Sequence, residues 1–353
     1  MAVINQSQPR LFGVTNSNRD FSDPKTWGKN QFNSSFPTAL ACYLAFKQVP
    51  AVYLQSEDSQ IIPGEISIEE VFQLPYDSTD LFFAFESQHT PYQQYVLGNL
   101  PRTDLVTQNR SEGTCLAGLE IKLTALPDNT TCECTDEADY GSEIVVRPDT
   151  IVYLACSAIS ALGESLTDLI PNLGISDWSL SADVMDFLPD ILNAISNVAV
   201  GLSEHQSPFL LQPVWKTQGK SPQLADQCLD VFCWSDAAFI QFIHHIASAS
   251  NGSLTRQERT AVWLFKMLED YKNHGRFNAN NIINDLTYDT KNDKAFASSG
   301  IVTNPLMSCD RLSHLTVSKS EIREIILGGG QNLLSPERRF DAIIYNSPEL
   351  FII

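Results

Sequence analysis

The sequence predicts an α/β fold in which a β-sheet is flanked by helices and followed by a mainly helical C-terminal part. Two observations lead to this prediction. Apolar and charged residues alternate between 104 and 124, a pattern that predicts two paired strands, near 104–107 and 119–124, with one face on a core. Apolar residues recur at helical spacing near 37–48 and near 150–163, where amphipathic helices would cover such a sheet.

The remaining elements follow from local patterns in chain order. The helix near 37–48 has Pro37 in its first turn, and Ser235 is expected to cap a helix that runs to residue 249. Further strands are predicted near 52–54, 80–86, 143–147, 209–216 and 228–234, and further helices near 69–74, 149–162, 182–202, 255–273 and 319–327. Residues 1–250 would form the core, and residues 251–353 a helical part packed on it.

Asp104, Glu120 and Lys122 are the candidate catalytic residues. Asp104 opens the first of the two paired strands, and the other two lie on the second. Side chains alternate between the faces of a strand, so Glu120 and Lys122 are expected on a polar face and Leu119 on the core side. Two carboxylates and an ammonium group on one sheet surface suit Mg²⁺, which takes a few hard oxygen ligands and keeps several waters.

The same three residues are also compatible with a solvated strand face, where Glu and Lys are common cross-strand neighbours. Glu86, at the end of a predicted strand, is either a further acid at the metal site or an ordinary surface residue. Cys132-x-Cys134 is a weak zinc candidate, because no Cys-x2-Cys pair or accompanying histidine supports it.

Charge is distributed unevenly along the chain. The net charge of −19 is adverse for binding a phosphate backbone, since non-specific affinity for nucleic acid comes mainly from Lys and Arg. The segments 1–56 and 251–353 carry +3 and 0, whereas 57–150 and 151–250 carry −14 and −8. The two ends are therefore expected to face nucleic acid.

Six polar or basic residues near the ends are candidate DNA contacts. Those before the first helix would face phosphate or bases, or serve only in capping and turns. The C-terminal pair would reach a phosphate or form an internal ion pair. The six are Lys29, Asn30, Gln31, Asn33, Arg338 and Arg339. Acidic residues lie among the basic residues of helix 255–273. This pattern favours a solvated charged face over a DNA-contacting one.

No segment indicates export or a membrane. Met1–Gln8 lacks the basic-then-apolar pattern of a signal peptide, and no run of about 18 apolar residues occurs. The protein is expected to be cytoplasmic, with no membrane partner. Its eight cysteines are then expected to be reduced thiols.

Several blocks, in order along the chain, are similar to one known family. They read WGKNQFNSSFPTALACYL (27–44), LPRTDLVT (100–107), GLEIKLTALPD (118–128), QPVWKTQGKSPQLADQCLDVFCWSD (212–236) and LLSPERRFD (333–341). All resemble the HindVP-type type II restriction endonucleases, and together they span nearly the whole chain.

This resemblance implies a PD-(D/E)XK fold, that is, a mixed sheet flanked by helices. It also implies Mg²⁺-dependent cleavage of double-stranded DNA at a palindrome, GRCGYC in the family, and a partner methyltransferase. The metal-binding acids of the family fall on Asp104 and Glu120, and its lysine on Lys122. One departure is that the proline of the signature stands at Pro101, while Thr103 precedes Asp104.

The implied mechanism is hydrolysis by a metal-activated water. Asp104 and Glu120 would hold Mg²⁺, which lowers the pKa of its water and polarises the phosphate. Lys122 would position or deprotonate that water and offset negative charge. A palindromic site read by one catalytic centre per chain favours a two-fold homodimer.

Two other functions remain open. One is another nuclease of the same fold that acts on repair intermediates or junctions, which would give structure-dependent nicks instead of discrete fragments. The other is a non-catalytic DNA-binding module, which would bind DNA without metal and would not cut it.

Overall fold

The computed structural model describes residues 51–57, 60–66, 81–109, 112–123, 144–205, 216–218, 221–223, 231–233, 235–249, 254–291 and 295–298. The predicted helices near 37–48, 69–74 and 319–327 lie outside these ranges. Within them, short antiparallel sheets accompany a larger set of packed helices.

All pairings between the described strands are antiparallel. β4 lies at the centre of a three-stranded sheet in the order β3-β4-β5, and the other pairs are β1 with β2, β6 with β10, β7 with β11 and β8 with β9. The strands are β1 Ala51–Glu57, β2 Gln60–Ile66, β3 Leu81–Ser87, β4 Thr103–Asn109, β5 Cys115–Leu119, β6 Ile121–Leu123, β7 Ile144–Val146, β8 Lys216–Gln218, β9 Ser221–Gln223, β10 Val231–Cys233 and β11 Phe296–Ser298.

Seven α-helices are described, together with short 3-10 turns at Thr90–Gln94 and Gly163–Ser165. The α-helices are α1 Pro148–Leu162, α2 Leu166–Leu169, α3 Ser181–Met185, α4 Leu188–Ser203, α5 Asp236–Ser248, α6 Arg256–His274 and α7 Ala279–Asp285.

The helix α1 occupies the middle of the core. It contacts β4 on one side and α4, α5 and α6 on the others. Its apolar side chains are buried almost all round, as expected of a helix enclosed by other elements. The stretch Pro148–Leu169 is long and apolar enough to span a membrane, yet 67% of its apolar window is buried in the protein. Its composition therefore follows from its place in the core.

Local capping chemistry fixes the ends of the longer helices. Ser235 caps α5 by accepting a hydrogen bond from the backbone N–H of Ala238, as predicted. Thr255 and Glu258 form a capping box at the start of α6. The helix α6 ends at Gly275, whose φ of 71° is a left-handed conformation that glycine adopts without strain. The helices predicted at 149–162, 235–249 and 255–273 are thus confirmed.

Two predictions of single elements are corrected. The helix predicted across 182–202 is broken into α3 and α4, because Pro189 lies in the first turn of α4 and lacks the N–H that would continue an earlier helix. The strand predicted at 119–124 is divided at Glu120, where β5 ends and β6 begins. The prediction of one mixed sheet also differs from the small antiparallel sheets of the described residues.

Residues of α6 belong to the same core as α1. Trp263 is fully buried, and its indole N–H donates to the carbonyl of Leu286 at 2.8 Å. The helix α6 packs against α1, α4 and α5. The division of the chain at residue 250 stays a prediction.

Candidate active site

The first acid, Asp104, lies near the start of β4, the central strand of the three-stranded sheet. The next residues of β4, Leu105 and Val106, are fully buried and hold the strand in place, whereas Asp104 is half-buried. Leu105 pairs with Leu119 and Val106 with Gly118. Continued by one residue, this antiparallel register brings Asp104 opposite Glu120.

The second acid, Glu120, is buried between this sheet and α1. Only 7% of its surface is exposed. The hydroxyl of Thr103 donates to Oε2 at 3.0 Å, and the hydroxyl of Thr150, in the first turn of α1, donates to Oε1 at 2.8 Å. Burial of a carboxylate is costly unless hydrogen bonds compensate for lost water. The two threonines supply part of that compensation.

The burial of Glu120 corrects the sequence prediction. Glu120 was expected on a polar face and Leu119 on the core side, but Glu120 is buried and Leu119 is only partly so. The reason is a change of partner at this point: β5 pairs with β4, whereas β6 pairs with β10. Alternation along a single strand therefore does not predict which side of residue 120 is solvated.

Lys122 lies in β6, where its backbone is opposite Phe232 of β10. It follows Glu120 by two residues, but its side chain lies outside the described part of the structure. The same is true of the side chain of Glu86 in β3. The candidate DNA contacts near residues 29–33 and at 338–339 lie wholly outside the described ranges.

The donor set of Asp104 and Glu120 suits Mg²⁺ chemically. This ion is commonly bound through one or two carboxylates and retains several waters. A carboxylate offers about four lone-pair positions, so two hydroxyl donors do not by themselves exhaust Glu120. Within the described residues no group of three or more His, Cys, Asp and Glu side chains converges as a metal cage.

A network of buried polar groups lies next to Glu120, where α1 meets β5 and α5. The hydroxyl of Tyr153 is 2.7 Å from the carbonyl of Gly118 and 3.2 Å from Oδ2 of Asp236. Ser157 donates to the same carboxylate oxygen of Asp236. Burial, and then the negative charge of Asp236, raises the pKa of Tyr153 well above its usual value. The phenol is therefore a hydrogen-bond donor throughout the physiological pH range.

Sequence reasoning missed five of these residues: Thr103, Thr150, Tyr153, Ser157 and Asp236. A signal for three of them was present, because the apolar stripe of α1 carries hydroxyl residues at positions 150, 153 and 157. That spacing places the three hydroxyls on one side of a helix. Asp236 stands within the block 212–236, but no local pattern relates it to Tyr153 and Ser157, which lie 83 and 79 positions earlier.

Three basic residues of α6 have partners within the protein, and the burial of Arg259 corrects the expectation of a solvated face at that position. Arg259 is fully buried and donates to the carbonyls of Thr287, Thr290, Lys291 and Ala295. Its guanidinium also lies over the ring of Trp263. Lys266 pairs with Glu269 and Asp270, and Lys272 donates to the carbonyls of Thr167 and Ile170. These three cations serve the fold of this region.

Comparison with known proteins covers almost the entire chain. The family model described as HindVP restriction endonuclease matches residues 27–351. A Haemophilus influenzae protein named "Probable type II restriction enzyme HindVP" is 51% identical over 349 residues, which cover 98% of this chain and 95% of that protein. The "Type II restriction enzyme HgiDI" of Herpetosiphon aurantiacus is 40% identical over 351 residues, 98% of each chain. No solved structure matches this chain.

The extent of these matches leaves little of the sequence unaccounted for. The matched residues include the whole hairpin from Asp104 to Lys122, the helix α1 that buries Glu120, and Asp236 at the start of α5. The chain belongs to the HindVP restriction endonuclease family.

Proposed function

We propose that the protein is a type II restriction endonuclease that uses Mg²⁺ to hydrolyse both strands of duplex DNA at a short palindrome. The site-specific deoxyribonuclease activity follows from the family and from the names of two relatives that match it end to end. The palindrome GRCGYC is the family expectation for the sequence that is read. The observation that supports the catalytic site is the β4–β5 pair Leu105 and Leu119, to which Asp104 and Glu120 are the adjoining residues.

In this proposal Asp104 and Glu120 hold the metal, and Thr103 and Thr150 hold the carboxylate of Glu120. Bound Mg²⁺ supplies a Lewis acid for the phosphate and lowers the pKa of a bound water. Lys122 positions or deprotonates the attacking water and offsets the negative charge that grows on the phosphate. Lys122 lies only two residues after Glu120, so its backbone is close to that of the proposed ligand.

The acidic central part of the chain is suited to binding a metal ion and poorly suited to contacting DNA. The segment 57–150, which contains the proposed ligands, carries −14, a charge that attracts divalent cations and repels phosphate. DNA contacts are therefore proposed in the ends of the chain, at Lys29, Asn30, Gln31, Asn33, Arg338 and Arg339. The basic residues Arg259, Lys266 and Lys272 have intramolecular partners instead.

The proposed assembly is a two-fold homodimer, each subunit cutting one strand of a palindromic site. The proposed core fold is that of the PD-(D/E)XK nucleases, with β4 and β5 as strands of its central sheet. A DNA methyltransferase would protect the host, as a functional partner that need not bind the enzyme. The proposed compartment is the bacterial cytoplasm.

One experiment separates the candidate functions. The purified protein is incubated with unmethylated phage DNA in Mg²⁺, and the cut ends are sequenced. Discrete fragments whose ends share one short palindrome are the expected result. Nicks confined to junctions or damaged sites would indicate another nuclease of the same fold, and binding without any cleavage would indicate a non-catalytic module.

Mutants test the DNA contacts. If Lys29, Arg338 or Arg339 touches phosphate alone, its alanine variant should weaken binding to all sequences alike and reduce the salt slope by about one. A contact to a base should cost about 1–3 kcal/mol on the cognate site alone. An internal ion pair would instead lower the melting temperature and leave DNA affinity unchanged, and that result for all three would contradict the proposed contacts.

A further inference from the structure

Three hydroxyl side chains on one side of α1 connect it to both the sheet and α5. Thr150 donates to the carboxylate of Glu120 at 2.8 Å, and Tyr153 donates to the carbonyl of Gly118 at 2.7 Å. Ser157, one turn further along, donates to the carboxylate of Asp236. The helix is thereby bonded to the end of β5 and to the first turn of α5.

The contact between Tyr153 and β5 requires a glycine. A β-carbon at Gly118 would lie 2.9 Å from Cε2 and 3.2 Å from the hydroxyl oxygen of Tyr153. Only 4% of Tyr153 is exposed, so the packed ring cannot move aside easily. The ring and strand therefore meet closely enough for the hydroxyl to reach the backbone two residues before Glu120.

Asp236 holds the hydroxyl end of Tyr153 from the opposite side. Its carboxylate is buried, with 7% exposed, at the first residue of α5. It accepts from both Ser157 and Tyr153. The single proton of the phenol is shared between the carbonyl of Gly118 at 2.7 Å and Oδ2 of Asp236 at 3.2 Å, so the hydroxyl is held between the strand and α5.

We propose that the pair Tyr153 and Asp236 positions Glu120 for metal binding. Glu120 lies outside both β5 and β6, at the point where the chain leaves one sheet for another. The anchor at Gly118 therefore governs where Glu120 is placed. Residues that support a metal ligand in this way typically change metal affinity or activity by about 10- to 100-fold when altered. This inference rests on the proposed role of Glu120 as a ligand.

The test compares two tyrosines that make the same kind of bond in different places. Tyr153→Phe removes the hydroxyl from Gly118, and Tyr288→Phe removes a hydroxyl that donates to the carbonyl of Trp178, also at 2.7 Å. For each variant we would measure the melting temperature without metal, Mg²⁺ binding to the free protein by calorimetry, DNA affinity in Ca²⁺, and the single-turnover cleavage rate.

Both variants should melt a few degrees below the wild type. Tyr153→Phe alone should bind Mg²⁺ more weakly and cleave more slowly, each by about 10-fold or more. Its DNA affinity in Ca²⁺ should stay close to that of the wild type, because no base or phosphate contact is removed. Equal Mg²⁺ affinity and equal cleavage rates in the two variants would overturn the inference.

Two additions keep the result interpretable. If Tyr153→Phe does not fold, Ser157→Ala takes its place, with Ser203→Ala as control because the hydroxyl of Ser203 donates to the carbonyl of Ala199 within α4. Glu120→Gln is measured alongside. If Glu120→Gln still cleaves, the proposed site is wrong; if it is inactive while Tyr153→Phe behaves like its control, only the positioning role is wrong.

Discussion

Glu120, at the junction of helix and sheet, and Arg259, within the helical core, are both buried charges held by different kinds of partner. Arg259 donates mainly to backbone carbonyls of residues 287–295, and also to the hydroxyl of Thr290, and it lies over Trp263. Glu120 accepts hydrogen bonds from the hydroxyls of Thr103 and Thr150. Carbonyls belong to the backbone and keep their direction, whereas a hydroxyl proton can rotate to another acceptor.

This difference separates a charge that builds the fold from one that can take part in chemistry. Moving Arg259 would leave several carbonyls of one loop without their donor. Glu120 can exchange neighbours at lower cost, because each threonine hydroxyl is able to turn away when a cation approaches. We therefore expect substitutions in the two places to separate stability from activity.

The largest expected effect is the loss of cleavage in Glu120→Gln and in Asp104→Asn. Removal of a ligand charge should slow cleavage about 1,000-fold or more, since a metal ion supplies several kcal/mol of transition-state stabilisation. Binding to cognate DNA in Ca²⁺ should persist. Glu258→Gln is the matched control, because Glu258 is equally buried but belongs to the capping box of α6.

The control should lose stability and keep its cleavage rate per folded molecule. Cleavage by Glu120→Gln or Asp104→Asn at more than a few per cent of the wild-type rate would mean that the altered acid is not a ligand. Loss of cleavage in folded Glu258→Gln would mean that a buried acid of the helical core affects activity as Glu120 does.

The next effect is on stability and concerns Arg259→Met. Loss of a buried cation that bonds several carbonyls should cost about 3 kcal/mol or more of the free energy of unfolding, since each unsatisfied buried group costs about 1–3 kcal/mol. Arg276→Met is the control, because Arg276 is exposed and donates to the carbonyl of Gln94 at 3.0 Å. Urea denaturation of both variants measures the difference.

Arg276→Met should change stability by about 1 kcal/mol or less. Arg259→Met should still cleave in proportion to its folded fraction. A cost as small as that of Arg276→Met would show that the loop at 287–295 does not depend on Arg259.

Elements with local sequence signals were predictable, whereas pairings between distant segments were not. The helices α5 and α6 were predicted because their signals are local, such as Ser235 at a cap. The pairing of β4 with a later strand was predicted for the same reason, but its partner is Cys115–Leu119 and not the predicted strand at 119–124. The pairing of β6 with β10 joins residues more than 100 positions apart, and no period within either strand encodes it.

The candidate site was therefore only partly predictable. The acids Asp104 and Glu120 stand out by residue type and spacing, and each adjoins one member of the cross-strand pair Leu105 and Leu119. The burial of Glu120 could not be read, because it depends on the partner change at β6 and on α1, which lies 30 residues later at Thr150. The burial of Arg259 was equally hidden, since its partners are backbone carbonyls that any residue provides.

A smaller effect is expected from Thr150→Val, a substitution of similar shape that removes the hydroxyl from Glu120. Cleavage should fall by about 10-fold, the range for groups that orient a metal ligand. Thr260→Val is the control: Thr260 is fully buried in α6, and its hydroxyl donates to the carbonyl of Arg256 at 2.7 Å. Cleavage rates are compared after correction for the folded fraction.

Thr260→Val should leave the corrected rate unchanged. An equal rate for Thr150→Val would mean that the hydroxyl compensates for burial of Glu120 without orienting it. Restoration of the rate by Thr150→Ser would support the orienting role, because serine returns the donor without the methyl group.

The smallest effect concerns acid pH and two histidines, His89 near the sheet and His244 on α5. Burial lowers the pKa of His89, and burial followed by the charge of His245 lowers that of His244. In the described structure the buried Nδ1 of His89 has no hydrogen-bond partner, whereas Nε2 of His244 is 3.3 Å from the hydroxyl of Ser248. A lowered pKa in the folded state means that the unfolded chain takes up the proton first as the pH falls below about 6.5.

The free energy of unfolding should therefore decrease as the pH falls below about 6.5. Each histidine can contribute a slope of at most about 1.4 kcal/mol per pH unit in that range, and neither contributes at higher pH. The ring centroids of His89 and Tyr92 are 4.4 Å apart, and His89→Phe keeps an aromatic ring at this contact. The variant should show a smaller decrease in stability at acid pH. His244→Gln should reduce this decrease as well, by removing the second group. Urea denaturation from pH 7.5 to pH 5 measures both slopes, and a slope unchanged in the His89 variant would show that this imidazole is protonated as readily in the folded protein as in the unfolded chain.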